Sequence, residues 1–135
     1  MGPLTGSGST KPGDLVPTNE QRLDAIRQAI AKVSTNQWEP VDPWRLDRHL
    51  RLLGIYAQSE IVGALLAALA EVQPRDYRGD FPPEESYEDV CKGAPLFAFA
   101  WKSLSRGCPM YLKFALHESR VFIVSFHKQR ERASL

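Results

Sequence analysis

Near the end of the 135-residue chain, two strand-like runs carry polar groups at regular spacing: MYLKFAL (110–116) and RVFIVSF (120–126). They supply a phenol at Tyr111, an ammonium group at Lys113 and a hydroxyl at Ser125, with the imidazole of His127 directly after the second run. In each case the two polar residues are two positions apart, which puts them on one face of a strand. Lysine binds phosphate and other anions, and histidine exchanges protons near neutral pH. A tyrosine can donate a hydrogen bond to phosphate or stack on a base. A face holding all four is suited to chemistry on an anionic substrate.

Whether the four groups meet depends on the turn between the runs. Leu112, Phe114 and Leu116 alternate with Tyr111, Lys113 and Ala115, and Phe122, Val124 and Phe126 alternate with Ile123, Ser125 and His127. If the aromatic and aliphatic sets share the core face, the pairing must join residues of equal parity. A three-residue turn, Glu118-Ser119-Arg120, does this and sets Tyr111 opposite His127, with Lys113 opposite Ser125. A two-residue turn would set Tyr111 against Phe126 and mix polar with apolar on both faces.

The elements that must position this hairpin begin with helices. Thr18 and Gln21 have the spacing of a capping box, and Leu23, Ile26, Ile30 and Val33 follow at helical intervals, predicting a helix over 19–33. Thr35, Asn36 and Pro40 mark the break after it. Asp42-Pro43 starts a second helix, WRLDRHLRLL, which Gly54 ends. Ser59 is the expected cap of a third helix over 60–72, buried because of IVGALLAALA (61–70), and Pro74 stops it. A short helix is expected at EESYEDV (84–90), followed by strands at LFAFAWKSL (96–104) and in the two final runs. Trp38, Trp44 and Trp101 read as core or helix-packing residues. The expected class is α+β, with N-terminal helices packed on one face of a C-terminal antiparallel sheet. Residues 1–17, rich in Gly, Ser, Thr and Pro, read as a flexible leader, leaving 18–135 as a single domain.

Composition narrows the classes. No apolar run approaches the roughly 20 residues of a membrane span, and the N-terminus lacks the apolar core of a signal peptide. A cytoplasmic protein is expected, with Cys91 and Cys108 as reduced thiols, although one disulfide between them stays open. The five Cys and His positions Cys91, Cys108, His49, His117 and His127 show no paired metal-ligand spacing. Neither a Gly-rich phosphate loop nor a G-x-S-x-G elbow is present, and the second and third helices do not read as a helix-turn-helix. Net charge is +1, yet from Lys92 onward eight Lys or Arg face two acids, a net of +6 that leaves −5 for the rest. That asymmetry suits either an anion-binding end of the fold or a solvated basic face.

The string MYLKFAL…RVFIVSFHK resembles the C-terminal hairpin of the MqsR toxins, whose sheet ends in a YLK strand and an SFK strand. LGIYAQSEIVGALLAALAEVQPRDYR (53–78) is similar to the same family's run of glycine turn, capped helix and D-F-Y-K motif. YEDV (87–90) stands where the family has a W/Q-D-V motif. The likeness spans about residues 44–130 in order, with an insertion between Cys91 and Met110 and one extra residue in the last turn. It implies a RelE-like fold and a metal-independent messenger-RNA endonuclease that needs no cofactor. It also implies a toxin held inactive by a cognate antitoxin protein.

Cleaving RNA without a metal requires a base for the 2′-hydroxyl, positive charge for the phosphorane and an acid for the departing 5′-oxygen. The resemblance places the family's YLK tyrosine on Tyr111 and its SFK lysine on His127. The lysine of D-F-Y-K falls on Arg78, and the residue before D-V falls on Glu88, a carboxylate that can act as base or pair with Arg78. Lys113, Lys128 and Arg130 are the supporting RNA-binding cations, with Lys128 pointing away from His127 if the strand continues. A rival reading is a non-catalytic protein-binding module on the same fold, using its helical half and sheet edge.

Overall fold

The computed structural model describes residues 17–78 and 91–129. Helix α1 (Asn19–Ser34) opens on a reciprocal cap. The Thr18 hydroxyl accepts from the Gln21 N–H at 3.1 Å, and Gln21 Oε1 accepts from the Thr18 N–H at 2.8 Å. It ends where Asn36 turns left-handed, with a φ of 61°. Strand β1 (Trp38–Pro40) follows, then helix α2 (Pro43–Leu52) behind its Asp42 cap, whose Oδ1 accepts from the Arg45 N–H at 3.1 Å. Gly54, at a φ of 78°, closes α2 with two linked bonds, Gly54 N–H to Arg51 O at 3.0 Å and Ile55 N–H to Leu50 O at 2.9 Å. This is a Schellman stop, sealed by the buried side chains of Leu50 and Ile55.

Helix α3 (Gln58–Glu71) departs from expectation at its start. Ser59 lies inside the helix and is not its cap. Glu60 does the capping by reaching back, its Oε1 accepting from the N–H groups of Ala57 and Tyr56 at 2.8 and 3.1 Å. Those two bonds hold the Glu60 carboxyl below its ordinary pKa. A carboxylate serving two orphan amides outcompetes a neighbouring hydroxyl. A single 3₁₀ turn, Pro74–Asp76, leads out of α3, and the helix expected over 84–90 falls outside the described residues.

Strands β2 (Leu96–Ser103), β3 (Cys108–His117) and β4 (Arg120–Lys128) form the expected antiparallel meander. The sheet is nevertheless mixed, in the order β1-β4-β3-β2, because β1 pairs in parallel with Val121–Ile123. Three residues including a proline give no strand signal in sequence. Among the described residues the class is α+β, with three α-helices preceding the antiparallel meander. Phe99, Phe114, Phe126, Met110 and Leu112 meet Leu50, Leu65 and Leu69 in the main core. A smaller cluster on the other face joins Cys91, Ala94 and Leu96 to Ala115 and Phe122. Trp38 and Trp101 are buried, but Trp44 stands 86% exposed on α2 and is not a packing residue. Cys91 and Cys108 are both free thiols.

The final hairpin also differs from its expected form. His117 pairs with Arg120, so the turn is the two residues Glu118 and Ser119, both with positive φ (47° and 68°). Positive φ at both positions is the signature of a type I′ turn, whose twist matches that of the flanking strands. The register then shifts between Lys113 and Phe114, where β4 carries Val124 as an extra residue. Turn and bulge together restore the pairing of Tyr111 with His127 and Lys113 with Ser125. The core assignment changes accordingly: Val121, Ile123 and Phe126 join the main core, while Phe122, with Val124 packed against it, joins the smaller one.

A carboxylate ties α3 to the β2–β3 connection. Glu71 Oε1 accepts from Trp101 Nε1 at 2.9 Å and Ser103 Oγ at 2.7 Å, and Oε2 accepts from the Ser105 N–H at 2.8 Å. Desolvation acts to raise its pKa from 4.5, but the bonds from Trp101, Ser103 and Ser105 outweigh it and hold the group at about 2. A depressed carboxyl stabilises the fold above its unfolded pKa and loses that contribution as pH falls.

Two stability measurements follow. Glu71→Gln should cost about 2 kcal/mol at neutral pH, allowing for partial solvent screening. In urea titrations the gap between variant and parent should narrow as pH drops from 4.5 towards 2; a gap independent of pH would refute the staple. Replacing Glu118-Ser119 by Asn-Gly should stabilise by about 1–2 kcal/mol, because those residues relieve the left-handed strain of a type I′ turn. A loss of stability would contradict that turn.

Candidate functional site

On the sheet face away from α1 and α3, side chains fall into rows across the strands. One row is Ala100, Tyr111 and His127, and the next is Ala98, Lys113 and Ser125. The phenol and imidazole rings lie 5.4 Å apart between centroids, tilted by 30°. Tyr111, Lys113, Ser125 and His127 are all half-buried, so each is braced by neighbours while remaining partly accessible. Alanine at positions 98 and 100 adds no bulk beside Lys113 and Tyr111.

Arg78 extends the second row from the far side. Tyr77 bridges Phe99, and the Arg78 N–H donates to Ala98 O at 2.8 Å, so Arg78 lies alongside Ala98 on the outer edge of β2. Its backbone is two strand spacings from Lys113, roughly 10 Å. Tyr77 is the anchor: its buried ring meets Phe99 edge-on, with centroids 5.9 Å apart, and the Arg22 guanidinium lies 4.4 Å from its centre. The Arg78 side chain folds back, Nη1 donating to Tyr77 O at 2.9 Å and Arg75 O at 3.3 Å. In this arrangement the cation is tethered to its own loop, and reaching the row requires a rotamer change.

The remaining expected residues are not gathered on that face. Lys128 pairs with Met110, whose side chain is wholly buried in the main core, so Lys128 lies on the opposite face from His127. Glu88 and Arg130 lie outside the described residues. Among the described residues no group of three or more His, Cys, Asp or Glu could hold a metal ion.

One residue is drawn in that the sequence reading left out. His49, in the last turn of α2, brings its ring within 4.9 Å of His127 at an angle of 62°. The site edge therefore reads His49, His127, Tyr111 in spatial order. Its position beside the buried Leu50 shows that His49 borders a packed face, but nothing in the sequence says which strand that face meets. His127 has a further contact, Nδ1 to Lys128 O at 2.8 Å. A carbonyl only accepts, so in this bond Nδ1 carries the hydrogen, and in the neutral ring Nε2 keeps its lone pair. That lone pair can take a proton from a bound hydroxyl.

Fold and cluster together define an α+β domain with a half-buried strip of imidazole, phenol and ammonium groups on one sheet face. Compared with family models, curated proteins and solved structures, the chain matches none.

The ring geometry has a direct spectroscopic check. Proton NMR should show cross-relaxation from the His127 ring to both the His49 and Tyr111 rings. A hairpin pairing Tyr111 with Phe126 would lack the His127–Tyr111 contact, and finding none would overturn the register.

Proposed function

We propose that this chain is a metal-independent endoribonuclease of the MqsR type, a RelE-like toxin domain acting on single-stranded messenger RNA and neutralised by a cognate antitoxin. The observation that carries the reading is the pairing of Tyr111 with His127 beside Lys113 on one half-buried sheet face. The residues supply the functions that such a cleavage needs. His127 exchanges the proton, Lys113 neutralises phosphate charge, and Tyr111 donates to a phosphate oxygen or stacks on the adjacent base. Arg78 joins once it leaves the Tyr77 and Arg75 carbonyls, adding a planar guanidinium suited to phosphate. Glu88, Lys128 and Arg130 have supporting roles in this reading, as base or cation.

A second reading is favoured by a separate observation. Trp44 and Leu52 of α2 are 86% and 82% exposed, an apolar surface that a protein-binding module would use. The two readings part in one assay. The purified chain, incubated with mixed single-stranded RNA, should cleave it equally with and without EDTA. His127→Ala should lower the rate by about 10²–10⁴-fold, and Tyr111→Phe by less, at unchanged thermal stability. Expression in a bacterium should arrest growth, and the His127 variant should not. No cleavage by the folded parent, together with a tight protein partner, would replace the enzymatic reading by the second.

A further inference from the structure

We infer that His49 is a catalytic residue, forming with His127 an acid–base pair for RNA cleavage; this rests on the ribonuclease reading and adds a residue and a division of labour to it. Three observations support the assignment. The two imidazoles are in direct contact, with centroids 4.9 Å apart and planes at 62°. One ring comes from a helix and the other from a strand, so the contact is made by tertiary packing of α2 on β4 and not by chain proximity. The bond from His127 Nδ1 to Lys128 O leaves Nε2 as the proton acceptor in the neutral ring.

Their surroundings separate the roles. His49 lies in the last turn of α2, where the terminal carbonyls of the helix favour a positive charge. His127 faces Tyr111 across the sheet, with Lys113 in the adjoining row. Arg45, from the first turn of α2, donates from Nη2 to Val124 O at 3.3 Å in the same strand. His127, whose Nδ1 bond leaves Nε2 as the acceptor beside the Lys113 row that would hold the phosphate, serves as the base, and His49 at the helix end serves as the acid.

The step balances without a co-reactant. His127 Nε2 takes the 2′-hydroxyl proton as that oxygen bonds to phosphorus. The phosphorus–O5′ bond breaks with its electron pair passing to O5′, which takes a proton from the His49 imidazolium. The products are a 2′,3′-cyclic phosphate and a 5′-hydroxyl. His127 is left protonated and His49 neutral, and exchange with water resets both. Lys113 and Tyr111 meet the charge that gathers on the non-bridging oxygens.

A substrate whose leaving oxygen is replaced by sulfur tests the assignment, since a thiolate departs without being protonated. His49→Gln and His49→Ala should each slow cleavage of ordinary RNA by about 10²–10⁴-fold. Both should recover most of the parent's rate on the 5′-thio RNA, whereas His127→Gln should stay slow on both substrates. Ends formed by the parent should carry the cyclic phosphate. His49 variants that cleave ordinary RNA at the parent's rate, or that are equally slow on both RNAs while folded, would overturn the role of His49 and leave the ribonuclease reading standing. A parent that cleaves neither RNA would overturn the reading itself.

Discussion

At Val124, β4 carries one residue more than β3 pairs with, and this lets a run of apolar residues serve two cores. Val121 and Ile123 face α1 and α3 on one side of the bulge, and Phe126 faces them on the other. In a regular strand, residues 121, 123, 125 and 127 would share that face. Ser125 and His127 would then enter the main core and Phe126 would leave it. Burying an imidazole and a hydroxyl without partners costs several kcal/mol, and losing a buried phenylalanine a few more. The bulge avoids both, and the outward position of His127 is a consequence of the inward position of Phe126. The kink leaves a carbonyl turned from the ladder, which the Arg45 guanidinium meets at 3.3 Å.

Helix α2 depends on the same region. Strand β1 reaches only Val121–Ile123, and beyond it α2 packs against β4. The Asp42 cap and the Gly54 stop set where the helix begins and ends, and so which of its residues lies beside the end of β4. Leu46 and Leu50 anchor it in the main core, while Arg45 and His49 border the bulge and the His127 ring. A helix and a strand held by a packed core keep two imidazoles in contact more reliably than a loop would.

The second row is less evenly held. Lys113 is carried by the central strand β3, but Arg78 sits on the outer edge of β2 beside Ala98, held there by Tyr77, whose ring the Arg22 guanidinium meets. Its side chain bonds to carbonyls of its own loop. The candidate site therefore has two imidazoles held by packed elements at one end and a guanidinium tethered to its own loop at the other.

Local features were legible in the residues alone: the Thr18–Gln21 and Asp42-Pro43 starts, the glycine stop after α2, the three-strand meander and the α+β class. Each rests on chemistry within a few residues, such as a hydroxyl beside an orphan amide or a glycine at positive φ. The match of Tyr111 with His127 was legible too, because burying Leu112 and Phe126 together demands it. The route to it was not. Residues 121–124 are all apolar, so alternation could not show where the strand slips, and only packing on two faces decided between a longer turn and a bulge. Nor could periodicity find β1, whose three residues are ordered by pairing with β4, or Glu60 as the cap in place of Ser59. His49 joined the site for the same reason: 78 positions separate it from His127 in the sequence. Their contact exists only because the buried face of α2 docks against the end of β4.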